Sequence, residues 1–91
     1  MKDLYVIIYR QEDKPEELYS TEDLKKAMYV QQALISYGEV TTDNLKKAMD
    51  SITEDDINEV ASNIKISGRD RLYNETEDAF IIFLPGEESE E

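Results

Sequence analysis

Carboxylates are the only reactive side chains that this sequence holds in quantity. It has 22 Asp and Glu residues against 10 Lys and Arg, with no histidine and no cysteine. Imidazole bases, serine–histidine pairs and thiol nucleophiles are therefore excluded. Carboxylate pairs catalyse proton transfer when a partly desolvated cleft holds them together. Here the acidic residues fall in predicted helix starts, loops and the C-terminal tail, so the sequence predicts that the protein is not an enzyme.

The acidic run Glu54-Asp55-Asp56 is the strongest candidate for a metal site, since hard cations prefer oxygen ligands. A twelve-residue calcium loop starting at Asp50 would need glycine at its sixth position and glutamate at its twelfth, but Asp55 and Ala61 stand there. Negative charge in the first turn of a helix that begins after Thr53 explains the run better. The sequence predicts no metal ligand.

Length and composition narrow the class of protein further. The 91 residues suit one domain, and the lack of cysteine fits a reducing compartment such as the cytoplasm. The N-terminal apolar stretch is too short for a signal peptide, and no run approaches the roughly 20 apolar residues of a membrane span. The three glycines stand alone, at positions 38, 68 and 86, so no nucleotide fingerprint or other cofactor motif is present.

The net charge of −12 predicts repulsion from nucleic acids and from anionic membranes, and attraction to a basic protein surface. Residues 39–63 contain seven acidic and two basic residues, and residues 74–91 contain seven acidic and no basic residues. A short basic segment at 65–71 lies between these two acidic blocks. Solubility alone does not require such blocks. The predicted partner-binding residues are Asp43, Asp50, Glu54, Asp55, Asp56, Glu59, Glu75, Glu77 and Asp78.

Acidic side chains fixed on a helix pair can stand in for a row of phosphates and occupy a basic nucleic-acid-binding groove. In being short, acidic, cysteine-free and without catalytic residues, the chain resembles small phage-encoded inhibitors such as anti-restriction, anti-CRISPR and DNA-glycosylase inhibitor proteins. The resemblance is one of composition and class, and implies a DNA mimic that inhibits a nucleic-acid-binding enzyme. The alternative is a protein-binding adaptor or regulator, including a homodimer formed through the sheet or through exposed tyrosines.

The pattern of apolar residues predicts an α+β domain over residues 1–86. Strands are expected at 4–10, 17–19, 71–73 and 79–84, with residues 67–70 as a loop. Three helices are expected to begin after caps at Ser20, Thr41 and Thr53. The order β-β-α-α-α-β-β indicates a small three- or four-stranded, mainly antiparallel sheet with three helices packed on one face.

The two longest strands are apolar on both of their alternating faces, which suits central positions and leaves open whether a partner subunit covers the second face. Residues 87–91 are expected to form a disordered acidic tail.

Overall fold

The computed structural model describes residues 2–86 and confirms the α+β fold and the predicted order of elements. The tail at 87–91 lies outside the described residues. The elements are β1 (Leu4–Gln11), β2 (Glu17–Thr21), α1 (Leu24–Tyr37), α2 (Thr42–Ser51), α3 (Glu54–Ser67), β3 (Arg69–Tyr73) and β4 (Glu77–Leu84).

One antiparallel sheet holds the four described strands in the order β2-β1-β4-β3. The chain termini of the fold therefore meet at its centre, where β1 and β4 pair over eight residues from Leu4 opposite Leu84 to Gln11 opposite Glu77. Each of these two strands carries an unbroken apolar run, so it is apolar both on the face that the helices cover and on the opposite face. The edge strands β2 and β3 have five residues each.

The hydrophobic core lies between the sheet and the helices. Ile7 and Tyr9 of β1 face the helices with Ala79 and Ile81 of β4, and all four are fully buried. They pack with the buried residues Ala27, Met28 and Leu34 of α1 and Ile64 of α3.

Helix α1 begins three residues later than predicted. Ser20 is not its cap: it pairs with Val6 in the β1–β2 ladder, and Asp23 caps the helix by accepting a hydrogen bond from the backbone N–H of Lys25. Ser20 and Asp23 are both good cap residues. Extending β2 forms further ladder hydrogen bonds, so Ser20 stays in the strand and Asp23 caps the helix. A glycine after Tyr37 predicts the end of this helix, and the helix does end at Gly38, with φ of 76° in the left-handed region that favours glycine.

The predicted caps of the other two helices are confirmed. The hydroxyl of Thr41 accepts from the N–H of Asn44, and the hydroxyl of Thr53 accepts from the N–H of Asp56. The spacing of apolar residues predicts that these helices bury Leu45, Ala48, Met49 and Ile52 and Ile57, Val60, Ala61 and Ile64. This prediction is wrong for Met49 and Ala61, which are exposed. These helices lie at the margins of the helical layer, where only a narrow stripe of each reaches the core.

The predicted loop at 67–70 is wrong at three of its four positions, because Ser67 ends α3 and β3 begins at Arg69. Gly68 ends α3 in the left-handed conformation, and its carbonyl accepts from the N–H of Phe83. The chain therefore passes from helix to strand without an intervening loop.

Gln31 is the one buried polar residue among the residues that the structure describes. Its side-chain amide donates to the carbonyl of Ala79 at 3.0 Å and to the carboxylate of Asp70 at 3.3 Å. A buried amide that has hydrogen-bond partners loses little free energy when it leaves water. This explains how a polar residue can interrupt the apolar stripe of α1.

Replacing Ile81 by Ala should lower the free energy of unfolding by about 2–5 kcal/mol, because it removes buried methyl groups and leaves a cavity between sheet and helices. Ile66→Ala is the matched control: Ile66 is 85% exposed, and we expect a change within about 0.5 kcal/mol. Denaturant unfolding measures both. Equal effects would contradict the assignment of the core to the helix side of the sheet.

Candidate binding surfaces

The face of the sheet that points away from the helices is apolar at its centre. Alternation along β1 and β4 places Val6 and Ile8 beside Ile82 and Phe80 on this side, in register. These four residues are half-buried by their neighbours in the sheet, and the described helices all pack on the other side. We call this surface the open face, and its apolar residues are Leu4, Val6, Ile8, Leu18, Phe80, Ile82 and Leu84.

Arginines border the open face on two sides. Arg69 and Arg71 lie on the edge strand β3, opposite Ile82 and Phe80, while Arg10 lies at the end of β1 opposite Asp78. The guanidinium groups of Arg10 and Arg71 lie 5.4 and 5.6 Å from the centre of the Phe80 ring. Such contacts hold the arginines against the apolar centre.

The open face therefore differs in charge from the rest of the chain. Three arginines and one aspartate point to it, although the whole chain carries −12. Arg71 and Asp78 form an ion pair at 2.6 Å within this face. An apolar centre with arginine at its rim is the composition that is enriched in protein interfaces.

The acidic residues predicted from the helix pair lie on the opposite side of the molecule. Asp43, Asp50, Glu54, Asp55, Asp56 and Glu59 are all exposed. The ion pairs found among residues 2–86 are Lys2–Glu22, Arg10–Glu16 and Arg71–Asp78, so none of them involves these six carboxylates. Their charge is left to solvent or to a partner.

Asp56 has a structural role that separates it from the other acidic residues of the helix pair. Its carboxylate accepts a hydrogen bond from the backbone N–H of Thr53 at 3.0 Å, while the Thr53 hydroxyl accepts from the Asp56 N–H at 3.2 Å. This reciprocal capping box starts α3. Glu54, Asp55 and Glu59 have no such bond and are the better candidates for contact with a partner.

The predicted acidic residues of the β3–β4 turn are divided between different sides of the sheet. Glu77 accepts a hydrogen bond from the hydroxyl of Tyr9 at 2.8 Å, and Asp78 pairs with Arg71 on the open face. Among the three, Glu75 is exposed and the other two are half-buried. Two of these carboxylates are thus occupied by contacts within the chain, which the charge count alone does not reveal.

The structure brings Asp56 and Glu59 of one acidic block near Glu75 of the other, with Arg71 between them. Asp56 and Glu59 line a cleft of about 230 Å³ between α1, α3 and β3, together with Asp70 and Arg71. Arg71 also lines the neighbouring cleft, which contains Glu75. Within residues 2–86 no group of three acidic residues could hold a metal ion, and none of the described helices is long and apolar enough to cross a membrane.

Sequence reasoning found the acidic surfaces but did not single out the open face. Its signal was present, because β1 and β4 are each apolar at three of the four positions that face away from the core. Which of the two apolar faces the helices cover depends on tertiary packing, so the residues alone could not select Val6 and Ile8 over Ile7 and Tyr9.

Two tyrosine hydroxyls that donate hydrogen bonds to carboxylates should lose their protons at a higher pH than an ordinary tyrosine. The hydrogen bond to Glu17 at 2.7 Å, with burial and the charge of nearby carboxylates, raises the pKa of Tyr19 from 10.0 to about 12. Burial, followed by the hydrogen bond to Glu77, also raises the pKa of Tyr9. The neutral form of Tyr19 is favoured in the folded state, so its contribution to stability is complete below pH 10.0 and is lost as the pH rises through about 12.

An absorbance titration of tyrosinate measures this directly. Glu17→Gln should move one late transition toward lower pH, because it removes the negative acceptor of the Tyr19 hydroxyl. Tyr19→Phe should remove that same transition. If Glu17→Gln left the titration curve unchanged, the hydrogen bond between these two side chains would not exist in solution.

No known protein family, no curated protein and no solved structure matches the chain. The open face and the acidic surface of α2 and α3 are the two features that support a functional proposal.

Proposed function

We propose that this chain is a non-enzymatic protein-binding domain, and that it associates with another polypeptide through the open face of its sheet. The observation that carries the proposal is the contiguous apolar centre formed by Val6, Ile8, Phe80 and Ile82 with arginines at its rim. An antiparallel sheet with one solvated face normally alternates apolar and polar residues. Here three of the four solvated positions of each central strand are apolar, which favours a covering partner.

The exposure of the residues around this centre supports the same function. Leu18 of β2 is 66% exposed, Tyr73 of β3 is 63% exposed and Leu84 of β4 is 47% exposed. Leu18 and Tyr73 border the patch on its two edge strands, and Leu84 extends it along β4. Burial of such side chains is worth roughly 25 cal/mol for each Å² of apolar surface, so a partner gains from covering the patch.

The proposal includes a cytoplasmic location and the absence of catalysis. A chain without cysteine needs no oxidising compartment, and a chain without histidine or cysteine lacks the commonest catalytic groups. Neither nucleic acid nor membrane is proposed as a direct partner, because a charge of −12 repels both.

A second candidate function is supported by the acidic side of the molecule. Glu54, Asp55 and Glu59 are exposed around the first turns of α3 and take part in no ion pair among the described residues. This surface suits a basic groove on another protein, as in an inhibitor that mimics DNA. It lies on the helical side, so this function would not compete with the open face.

Ile82→Glu should abolish binding through the open face, because the new carboxylate would be buried against a partner without a counter-charge. The tagged chain is incubated with lysate of cells that also produce the untagged chain, and retained proteins are identified by mass spectrometry. Wild type and the control Ile66→Glu, which makes the same change on exposed helix α3, should retain the same proteins. Retention that does not depend on Ile82 would contradict the proposed function.

The second candidate is tested by neutralising Glu54, Asp55 and Glu59 as Gln, Asn and Gln, while Asp56 is kept so that the cap of α3 survives. Proteins bound through this surface should be released between roughly 50 and 200 mM salt, and duplex DNA should displace them. The triple variant should lose them at low salt. The control variant neutralises Glu12, Asp13 and Glu22 and should still bind the same proteins. Equal loss of binding in both variants would show a non-specific effect of charge and contradict this second function.

A further inference from the structure

We infer that the polypeptide covering the open face is a second copy of this chain. The two copies stack face to face, and their two-fold axis runs parallel to the strands between β1 and β4. This inference rests on the proposed use of the open face as an interface and names the partner.

The register of the two central strands makes the open face complementary to itself. Leu4 lies opposite Leu84, Val6 opposite Ile82, and Ile8 opposite Phe80. A two-fold axis between β1 and β4 places β1 of one copy over β4 of the other at the same height along the strands. Each apolar residue of β1 then contacts its own in-register neighbour in the second copy, so apolar surface meets apolar surface along both central strands.

The charged row at the end of the patch supports the same arrangement. Arg10 of β1 lies opposite Asp78 of β4. The axis therefore brings Arg10 of each copy against Asp78 of the other, and symmetry repeats the contact. On the edges, β3 of one copy lies over β2 of the other, which places Arg71 at the height of Leu18 and Arg69 at the height of Ser20. The arginines of β3 therefore do not meet the arginines of the second copy.

A two-fold axis in the other direction is disfavoured by the same register of residues. An axis perpendicular to the strands would lay β3 over β3 and reverse the order of the rows. Arg69 of one copy would then meet Arg71 of the other, and Leu4 would lie over Arg10. Like charges brought together and a guanidinium buried without a partner both cost free energy.

The size of the face suits a weak, specific dimer. Two strands of eight residues and two of five, spaced about 4.8 Å apart and rising about 3.4 Å per residue, give a flat footprint of about 400 Å². Side chains standing on that footprint expose more area than the footprint itself, so two copies bury roughly 1,000 Å² in total. This area lies in the range of weak and transient protein complexes, so we expect a dimer that forms at micromolar concentration.

The net charge of −12 does not oppose this arrangement strongly. The acidic residues of α2 and α3 lie on the helical side, the far side of each copy from the interface. At physiological salt, charges are screened beyond about 8 Å, which is less than the thickness of the helical layer at about 10 Å. The acidic residues at the open faces that meet have arginines beside them, Asp78 beside Arg71 and Glu16 beside Arg10.

Sedimentation equilibrium of the purified full chain tests the inference. We expect wild type to pass from monomer to dimer between about 1 and 100 µM, and Ile66→Glu to behave like wild type. Ile82→Glu should weaken association at least tenfold, because two carboxylates would be buried in each dimer. Circular dichroism of each variant verifies that the monomer stays folded.

Charge reversal tests the arrangement of the two copies. Arg10→Asp alone places two carboxylates at each contact, and Asp78→Arg alone places two guanidinium groups there, so each variant should associate roughly tenfold more weakly than wild type. Mixing the two variants restores opposite charges at both contacts of the mixed dimer. The mixture should therefore associate nearly as well as wild type.

Three results would overturn the inference: a monomer at every concentration up to about 500 µM, a dimer that Ile82→Glu leaves intact, or a mixture of the charge variants no stronger than either alone. These outcomes differ from failure of the proposed function. A monomeric chain that still retains a different protein through Ile82 would reject the second copy as partner and keep the open face as an interface.

Discussion

The pairing of β1 with β4 is the constraint on which the rest of the structure depends. Eight register pairs join the two ends of the fold, from Leu4–Leu84 to Gln11–Glu77, and both strands are apolar on both faces. One face must therefore be buried by the helices, which connect the two halves of the sheet. The other face is fixed by the same register and remains apolar, so the feature that builds the core also creates the open face.

Much of the fold could be predicted because local signals agreed with one another. Thr41 and Thr53 are caps followed by amphipathic helices, and each acts as a cap in the structure. The errors arose where two local solutions competed. Ser20 is a sound cap in isolation, but a residue in register with Val6 gains ladder hydrogen bonds that only the folded sheet supplies. Asp23 then takes over the cap.

The candidate surfaces could be predicted less well than the fold. A count of charges finds carboxylates but does not show which of them hydrogen bonds within the chain. Glu77 accepts a hydrogen bond from Tyr9, 68 residues away along the chain, which only the folded sheet brings close. Asp56 accepts from the backbone of Thr53 in a local capping box, so a count of charges misses it although the spacing is present in the sequence. The open face was missed for a different reason. Its apolar residues are evident in the sequence, but which face of the sheet the helices cover depends on tertiary packing.

The two surfaces fit together in one molecule because they lie on opposite sides of it. Face-to-face association through Val6, Ile8, Phe80 and Ile82 would bury the apolar side and turn the helical layers outward. Each dimer would then present two acidic α2–α3 surfaces, and a partner with two basic sites would be held more tightly than by either surface alone. The high acidity would also keep single copies from collapsing onto other apolar proteins before they pair, since strong net charge opposes non-specific association. Acidity on one side and apolarity on the other are therefore parts of one arrangement.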